Sequence, residues 1–149
     1  MIHIESSTGT FPVSAGLLER AALAVLSQEA ANGDLSIVLT DDTHLQKLNS
    51  EYLGLDAPTD VLSFPASEID PDTKVPYLGD ILISIPRAVE QAKTANHPLE
   101  AELQLLVVHG GLHLLGFDHA MPEEKEKMWS AQTQVLNSIG LAGIEIRES

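Results

Sequence analysis

Short segments with the pattern of β-strands alternate along this chain with longer segments that have the pattern of amphipathic helices. The order is β-α-β-α-β-β-α-α-α, which predicts an α+β fold: a mixed sheet of about four strands packed with about five helices. The first predicted strand starts at Ile2, and the other three cover 35–39, 59–64 and 77–85. The predicted helices cover 17–29, 43–52, 86–94, 98–116 and 122–139. Segment 67–76, with two prolines, is predicted to be a loop.

The length and composition favour one soluble domain covering residues 1–149. A chain of 149 residues has a common single-domain length, and it shows neither a repeat nor a linker. No apolar run approaches the roughly 20 residues of a membrane span, and the first residues lack the pattern of a secretory signal. We therefore expect a cytoplasmic protein that does not enter a membrane.

The charge and the absence of cysteine limit the function classes. The formal net charge is −14, which argues against a broad electrostatic grip on nucleic acid and gives no reason to expect DNA binding. Contact with RNA would need a local basic patch, a metal ion or a basic partner protein. Since the chain has no cysteine, a bound metal must be held by His, Asp or Glu.

Three of the six histidines form the pattern His109-x3-His113-x2-Gly116-x2-His119. Residues four apart lie on the same face of a helix, about 6 Å apart, so two imidazoles can bind one ion. Gly116 allows the chain to turn there and His119 to return as a third ligand. Three neutral ligands leave a fourth position for water, as in catalytic zinc sites, and we predict one Zn²⁺ per chain.

Other residues near this pattern allow two interpretations each. Gly110 and Gly111 lie inside the predicted helix, either to let substrate approach the metal or to allow tight packing on the sheet. Asp118 either orients a ligand histidine, serves as a proton acceptor, or is simply solvated. The remaining histidines, His3, His44 and His97, are near element ends and are predicted to be capping or exposed groups.

The histidine spacing is metzincin-like, since those peptidases carry H-E-x-x-H-x-x-G-x-x-H on a helix. Their general-base Glu is replaced here by Gly110. Without that carboxylate, no group at this position takes the proton from the zinc-bound water, so a conventional peptidase is not expected.

The stretch from His109 to His119, HGGLHLLGFDH, resembles the signature of the YbeY family of bacterial endoribonucleases. Further similarity lies at Leu48-Asn49 and Tyr52, in the block PTDVLSFP at 58–65, and in LGDI at 78–81. The resemblance covers about residues 45–120, and both long blocks are specific.

The resemblance implies a metal-dependent, single-strand-specific endoribonuclease that acts in rRNA maturation, notably at the 3′ end of 16S rRNA, and in ribosome quality control. It implies single-stranded rRNA and the small ribosomal subunit as partners, and His109, His113 and His119 as zinc ligands. It also implies an Arg after the tyrosine, where this chain has Leu53. Because Leu cannot hold a phosphate, Arg87 and Lys93 are the candidates left for that role.

Two questions stay open at the level of sequence. Thr59, Asp60 and Ser63 either line a substrate groove or make turn and backbone hydrogen bonds. The rivals to the nuclease are a ribosome-associated binding protein stabilised by its metal, and a zinc hydrolase of small molecules or peptides. A fourth protein ligand such as Asp118 would favour the binding protein, and a narrow acidic pocket would favour the hydrolase.

Overall fold

Nine elements follow one another in residues 1–144, the part of the chain that the computed structural model describes. They are β1 (Ile2–Ser6), α1 (Ala15–Gln28), β2 (Asp34–Thr40), α2 (Asp42–Leu53), β3 (Val61–Pro65), β4 (Tyr77–Ser84), α3 (Ile85–Ala95), α4 (Leu99–Leu114) and α5 (Pro122–Ser138). This order confirms the predicted α+β fold with a mixed sheet. The last five residues of the predicted range 1–149 lie outside the described part.

The sheet has the strand order β1-β2-β4-β3. Strands β1 and β2 pair in parallel, as do β2 and β4, whereas β3 pairs with β4 in antiparallel orientation. The parallel pair β1 and β2 is joined through helix α1, while only the predicted loop separates β3 from β4. Strand β3 therefore lies at an edge of the sheet.

Alternating side chains of the strands divide the hydrophobic core into two parts. On β4, Ile81 and Ile83 face the main core, which also contains buried residues of α1, α4 and α5. Leu82, between them, faces a smaller cluster with Leu62 of β3 and Leu45 of α2. Helix α2 thus covers one face of the sheet, and α1 and α4 cover the other.

Helix α4 lies at the centre of the main core. All residues from Ala101 to Leu112 are buried, because α1, α3, α5 and the strands β3 and β4 pack around the helix. A helix enclosed in this way is apolar on most sides. Pro98 is the residue before its first turn rather than the first helical residue that the sequence predicts. No helix within residues 1–144 is long and apolar enough to cross a membrane.

A buried polar network ties the start of α4 to α3 and to the entry of β3. Glu102 is fully buried, and its Oε1 lies 2.7 Å from Nε2 of His97. With its amide nitrogen between two carboxylates, Gln91 donates to Asp60 Oδ2 at 3.2 Å and to Glu102 Oε2 at 3.0 Å. Burial raises the pKa of Asp60. His97 is therefore a partner of a buried carboxylate, which the sequence did not predict.

The two glycines of α4 allow close packing at two different contacts. A Cβ atom at Gly110 would lie 2.7 Å from Ile81 Cγ2 and 3.1 Å from Ser63 Oγ, so the helix rests directly on the sheet there. A Cβ atom at Gly111 would lie 3.4 Å from Val25 Cγ1, an ordinary contact distance. Of the two interpretations of Gly110, packing on the sheet is the one that the structure supports.

The substitutions Gly110→Ala and Gly111→Ala are expected to change stability in opposite directions. Alanine gains about 1 kcal/mol over glycine in a helix, and Gly111→Ala should keep most of that gain. Gly110→Ala should instead destabilise the protein by about 1–3 kcal/mol, because the new methyl group overlaps Ile81. Urea unfolding of the metal-free protein measures both values. Equal stabilisation by both substitutions would contradict the close contact at Gly110.

Candidate metal centre and groove

The three histidines of the motif form one cluster. His109 and His113 lie one turn apart on α4, and the following loop brings His119 back to them. The ring centroids are 4.6 Å apart for His109 and His113, 5.4 Å for His109 and His119, and 5.2 Å for His113 and His119. One ring nitrogen of each residue lies within 4.8 Å of the others, so the three side chains could hold one metal ion.

The end of α4 explains how His119 reaches this position. Gly116 has φ of +98°, and its N–H donates to His113 O at 3.0 Å. The N–H of Phe117 donates to Leu112 O, also at 3.0 Å, which completes the hydrogen bonds of a glycine-terminated helix. The predicted turn of the chain at Gly116 is confirmed, with a positive φ that favours glycine, and it reverses the chain next to the cluster.

Gln132 of α5 orients the first histidine. Its Oε1 lies 2.7 Å from Nδ1 of His109, and both side chains are buried. When Nδ1–H donates to this oxygen, the neutral imidazole carries its lone pair on Nε2, which lies 3.1 Å from Nε2 of His113. Sequence reasoning missed Gln132, although a glutamine between Met128 and Val135 on the apolar face of α5 was a usable signal.

Burial favours the uncharged form of the two histidines of α4. It lowers the pKa of His109 from 6.5 to about 4, and the neighbouring His113 adds to this effect. Burial also lowers the pKa of His113, with a further contribution from His119. Neutral imidazoles are the form that binds a metal ion, so these two side chains need not lose a proton at neutral pH.

Trp129 closes one side of the cluster, and sequence reasoning missed it as well. Its ring lies 6.1 Å from the ring of His109 and 5.5 Å from that of His119. The ammonium group of Lys125 lies 5.7 Å from the centre of the indole. The cluster is therefore bounded by an aromatic ring on the α5 side.

The other predicted site residues are placed as follows. Asp118 lies in the exposed turn, where its Oδ1 accepts from the backbone N–H of His119 at 2.7 Å. Thr59 and Ser63 line the groove beside the histidines, and Ser63 Oγ donates to Gly110 O at 3.0 Å. Asp60 is buried in the polar network instead and does not line the groove.

A groove of about 710 Å³ leads to the histidine cluster. Its sixteen lining residues are Asn49, Leu53, Leu55, Ala57, Pro58, Thr59, Val61, Leu62, Ser63, Pro65, His109, His113, Gly116, Phe117, Asp118 and His119. None of them is Lys or Arg. Arg87 pairs with Asp42 at 2.8 Å, and Lys93 lines a separate pocket beside His97. The structure therefore supports neither Arg87 nor Lys93 as a phosphate ligand in this groove.

Comparisons with known proteins agree on one family. The family model described as Endoribonuclease YbeY matches residues 4–140. The chain is 44% identical to the Endoribonuclease YbeY of Brevibacillus brevis over 84% of this chain and 86% of the relative. It is 39% identical to that of Bacillus licheniformis over 95% and 96% of the two chains.

A solved structure supports the same assignment. The solution structure of TM1509 from Thermotoga maritima matches with a TM-score of 0.57 and 29% identity, over 93% of this chain and 91% of that one. The fold and the histidine cluster define a single-domain α+β protein with a candidate metal centre. The chain belongs to the Endoribonuclease YbeY family.

Replacing Gln132 should weaken metal binding without unfolding the protein. Gln132→Leu removes the acceptor of the His109 Nδ1–H and leaves the ring free to turn or to change tautomer. Loss of such an outer hydrogen-bond partner costs about 10- to 100-fold in metal affinity. Competition with a chelator measures the zinc dissociation constant, and Gln134→Leu, on the exposed side of the same helix, is the matched control. An unchanged affinity in Gln132→Leu would contradict the role of this hydrogen bond.

The low pKa of His109 should make the metal-free protein lose stability in acid. Between pH 6.5 and about 4 the unfolded chain binds a proton at His109 that the folded chain does not, so stability falls as the pH falls through this window. Comparison with His109→Asn cancels the titration of other groups. Between about pH 7.5 and about pH 5, the free energy of unfolding of the unaltered protein should fall by about 2 kcal/mol more than that of His109→Asn. A constant difference would show that His109 titrates normally.

Proposed function

We propose that this chain is a zinc-dependent endoribonuclease that cleaves single-stranded rRNA. Its place would be the cytoplasm, in rRNA maturation at the 3′ end of 16S rRNA and in ribosome quality control on the small ribosomal subunit. Membership of the endoribonuclease family supports the reaction class. The observation that carries the proposal is the histidine cluster, which lies at the end of an open groove.

Zinc fits the donor set of the cluster. The cluster offers three imidazole nitrogens and no thiolate, a combination typical of sites in which zinc keeps a position for water. We assign His109, His113 and His119 as the ligands of one Zn²⁺ per chain. The neutral state of the two histidines of α4 and the fixed orientation of His109 support this assignment.

In this proposal the chain contributes orientation, shape and one exposed carboxylate. Zinc, when bound, supplies a Lewis acid that activates water and stabilises negative charge. Gln132 holds the tautomer of His109, and Trp129 limits solvent on the α5 side. Asp118 is the carboxylate of the groove, and we propose that it accepts a proton from the attacking water.

The structure also argues against a metzincin-like peptidase. A carboxylate at position 110 would be needed as the general base, but a side chain there would run into Ile81 of β4. The groove has mostly apolar walls rather than acidic ones, since Asp118 is its single carboxylate among the lining residues. A nuclease therefore explains the site better than the peptide hydrolase does.

Zinc-dependent cleavage of RNA tests the proposal. The purified protein should cleave a single-stranded fragment from the 3′ end of 16S rRNA, and a chelator should abolish the activity. Removal of an outer hydrogen-bond partner of a metal ligand costs up to about 100-fold. Because His113→Ala removes a ligand itself, its cleavage activity should fall by more than that. His3→Ala, in an exposed histidine of β1, is the control and should keep full activity.

Two results would contradict the nuclease. Cleavage by His113→Ala at the unaltered rate would show that the activity comes from a contaminant or another site. Stoichiometric zinc binding without cleavage of any single-stranded RNA would favour the ribosome-associated binding protein.

A further inference from the structure

Two exposed leucines line the same groove as the histidine cluster. Leu53 is 58% exposed and Leu55 is 59% exposed, and both line the groove. Single exposed leucines are ordinary on protein surfaces. Because both leucines line the groove that contains the candidate metal centre, a substrate bound there would contact them. We call these two residues the leucine wall.

The leucine wall is held in place by the end of α2. Gly54 has the left-handed conformation, with φ of +70°, and its N–H donates to Ser50 O. The N–H of Leu55 donates to Asn49 O at 3.2 Å, and Asn49 Nδ2 donates to Ala57 O at 3.0 Å. These bonds fix the backbone on both sides of the wall. The backbone that carries the two leucines therefore needs no ordering on binding, which leaves only the cost of fixing their side chains.

The chemistry of the groove decides which part of an RNA strand can lie on this wall. Among residues 1–144, no Lys or Arg lines the groove, so within this part of the chain the phosphates have no fixed cation there except a metal held by the histidines. A phosphate placed against Leu53 or Leu55 would lose water without gaining a partner. A nucleobase, in contrast, has an apolar face that can be buried against leucine.

We propose that Leu53 and Leu55 bind the face of a nucleobase that neighbours the phosphate at the histidine cluster. This inference rests on the proposed function and adds a subsite to it. The groove volume of about 710 Å³ is within the range of small-molecule sites, which is enough for a single nucleotide beside the metal. Because every base has such a face, the subsite requires a base but does not select one base over another.

Binding of short strands, which are shown to be intact after the measurement, tests the subsite independently of catalysis. The zinc-loaded protein is titrated with a 2′-O-methyl oligoadenylate heptamer and with the same sugar-phosphate strand lacking all bases. Contacts to one base make the abasic strand about tenfold weaker for the unaltered protein. In Leu53→Ser/Leu55→Ser the oligoadenylate should bind about as weakly as the abasic strand. Leu23→Ser, in an exposed leucine of α1, is the control and should keep the full tenfold difference.

A cleavage experiment gives the position of the base. A short RNA with one cleavage site receives a single abasic nucleotide at each position around that site. At one flanking position the abasic nucleotide should raise KM about tenfold for the unaltered protein with little change in kcat, and this effect should disappear in the double variant.

The outcomes separate this inference from the proposed function. Cleavage with equal base dependence in the unaltered and double-variant proteins would overturn the leucine subsite and leave the nuclease standing. Base-dependent binding that the double variant loses, without cleavage of any RNA, would support the subsite and overturn the nuclease. Retained RNA binding in the double variant together with loss of binding to ribosomal proteins would assign the wall to a protein partner and overturn the inference.

Discussion

The close contact of helix α4 with the sheet at Gly110 fixes the position of the whole candidate site. The helix backbone lies so near β4 that a methyl group would be 2.7 Å from Ile81, and Ser63 of β3 donates to the carbonyl oxygen of Gly110. Ser63 also lines the groove beside His109. The groove floor and the histidine helix are thus joined by one short contact. A side chain at position 110 would separate them, and the histidines would move away from the strand that lines the groove.

A polar residue in a buried helix needs a hydrogen-bond partner, and two such residues of α4 have partners of different kinds. Near the start of α4, buried Glu102 is matched by His97 and by the amide of Gln91. Around the middle, His109 is matched by Gln132 from α5. The first arrangement holds an ionisable acid in the core through hydrogen bonds. The hydrogen bond to Gln132 leaves His109 as a neutral imidazole whose Nε2 is directed to the other histidines. The same burial that stabilises the helix thus prepares His109 to act as a metal ligand.

The sequence predicted the elements, the sheet type and the histidine cluster because each depends on local spacing. A four-residue interval on a helix and a glycine that permits positive φ are enough to bring His109, His113 and His119 together. It did not predict Gln132, Trp129, or the pairing of His97 with Glu102. These contacts join residues of different elements, and their geometry follows from how α5 and α3 pack on α4, which no local pattern specifies. For the same reason Arg87 was a candidate phosphate ligand at the level of sequence, although in the fold it forms an ion pair with Asp42 of α2.

The acidic charge of the chain constrains how the groove could recognise the proposed RNA substrate. A net charge of −14 repels a polyanion at a distance, and the groove has no Lys or Arg among its lining residues to reverse that repulsion. In the proposed function, the favourable contributions that remain within the groove would be the charge of a metal ion bound by the three histidines and apolar contact with a base. Both require the strand to enter the groove. A base in a duplex has its faces covered by its neighbours, whereas an unpaired base can leave the stack and contact leucine. The composition of the groove, as residues 1–144 form it, thus gives a physical reason for the single-strand preference in the proposed function.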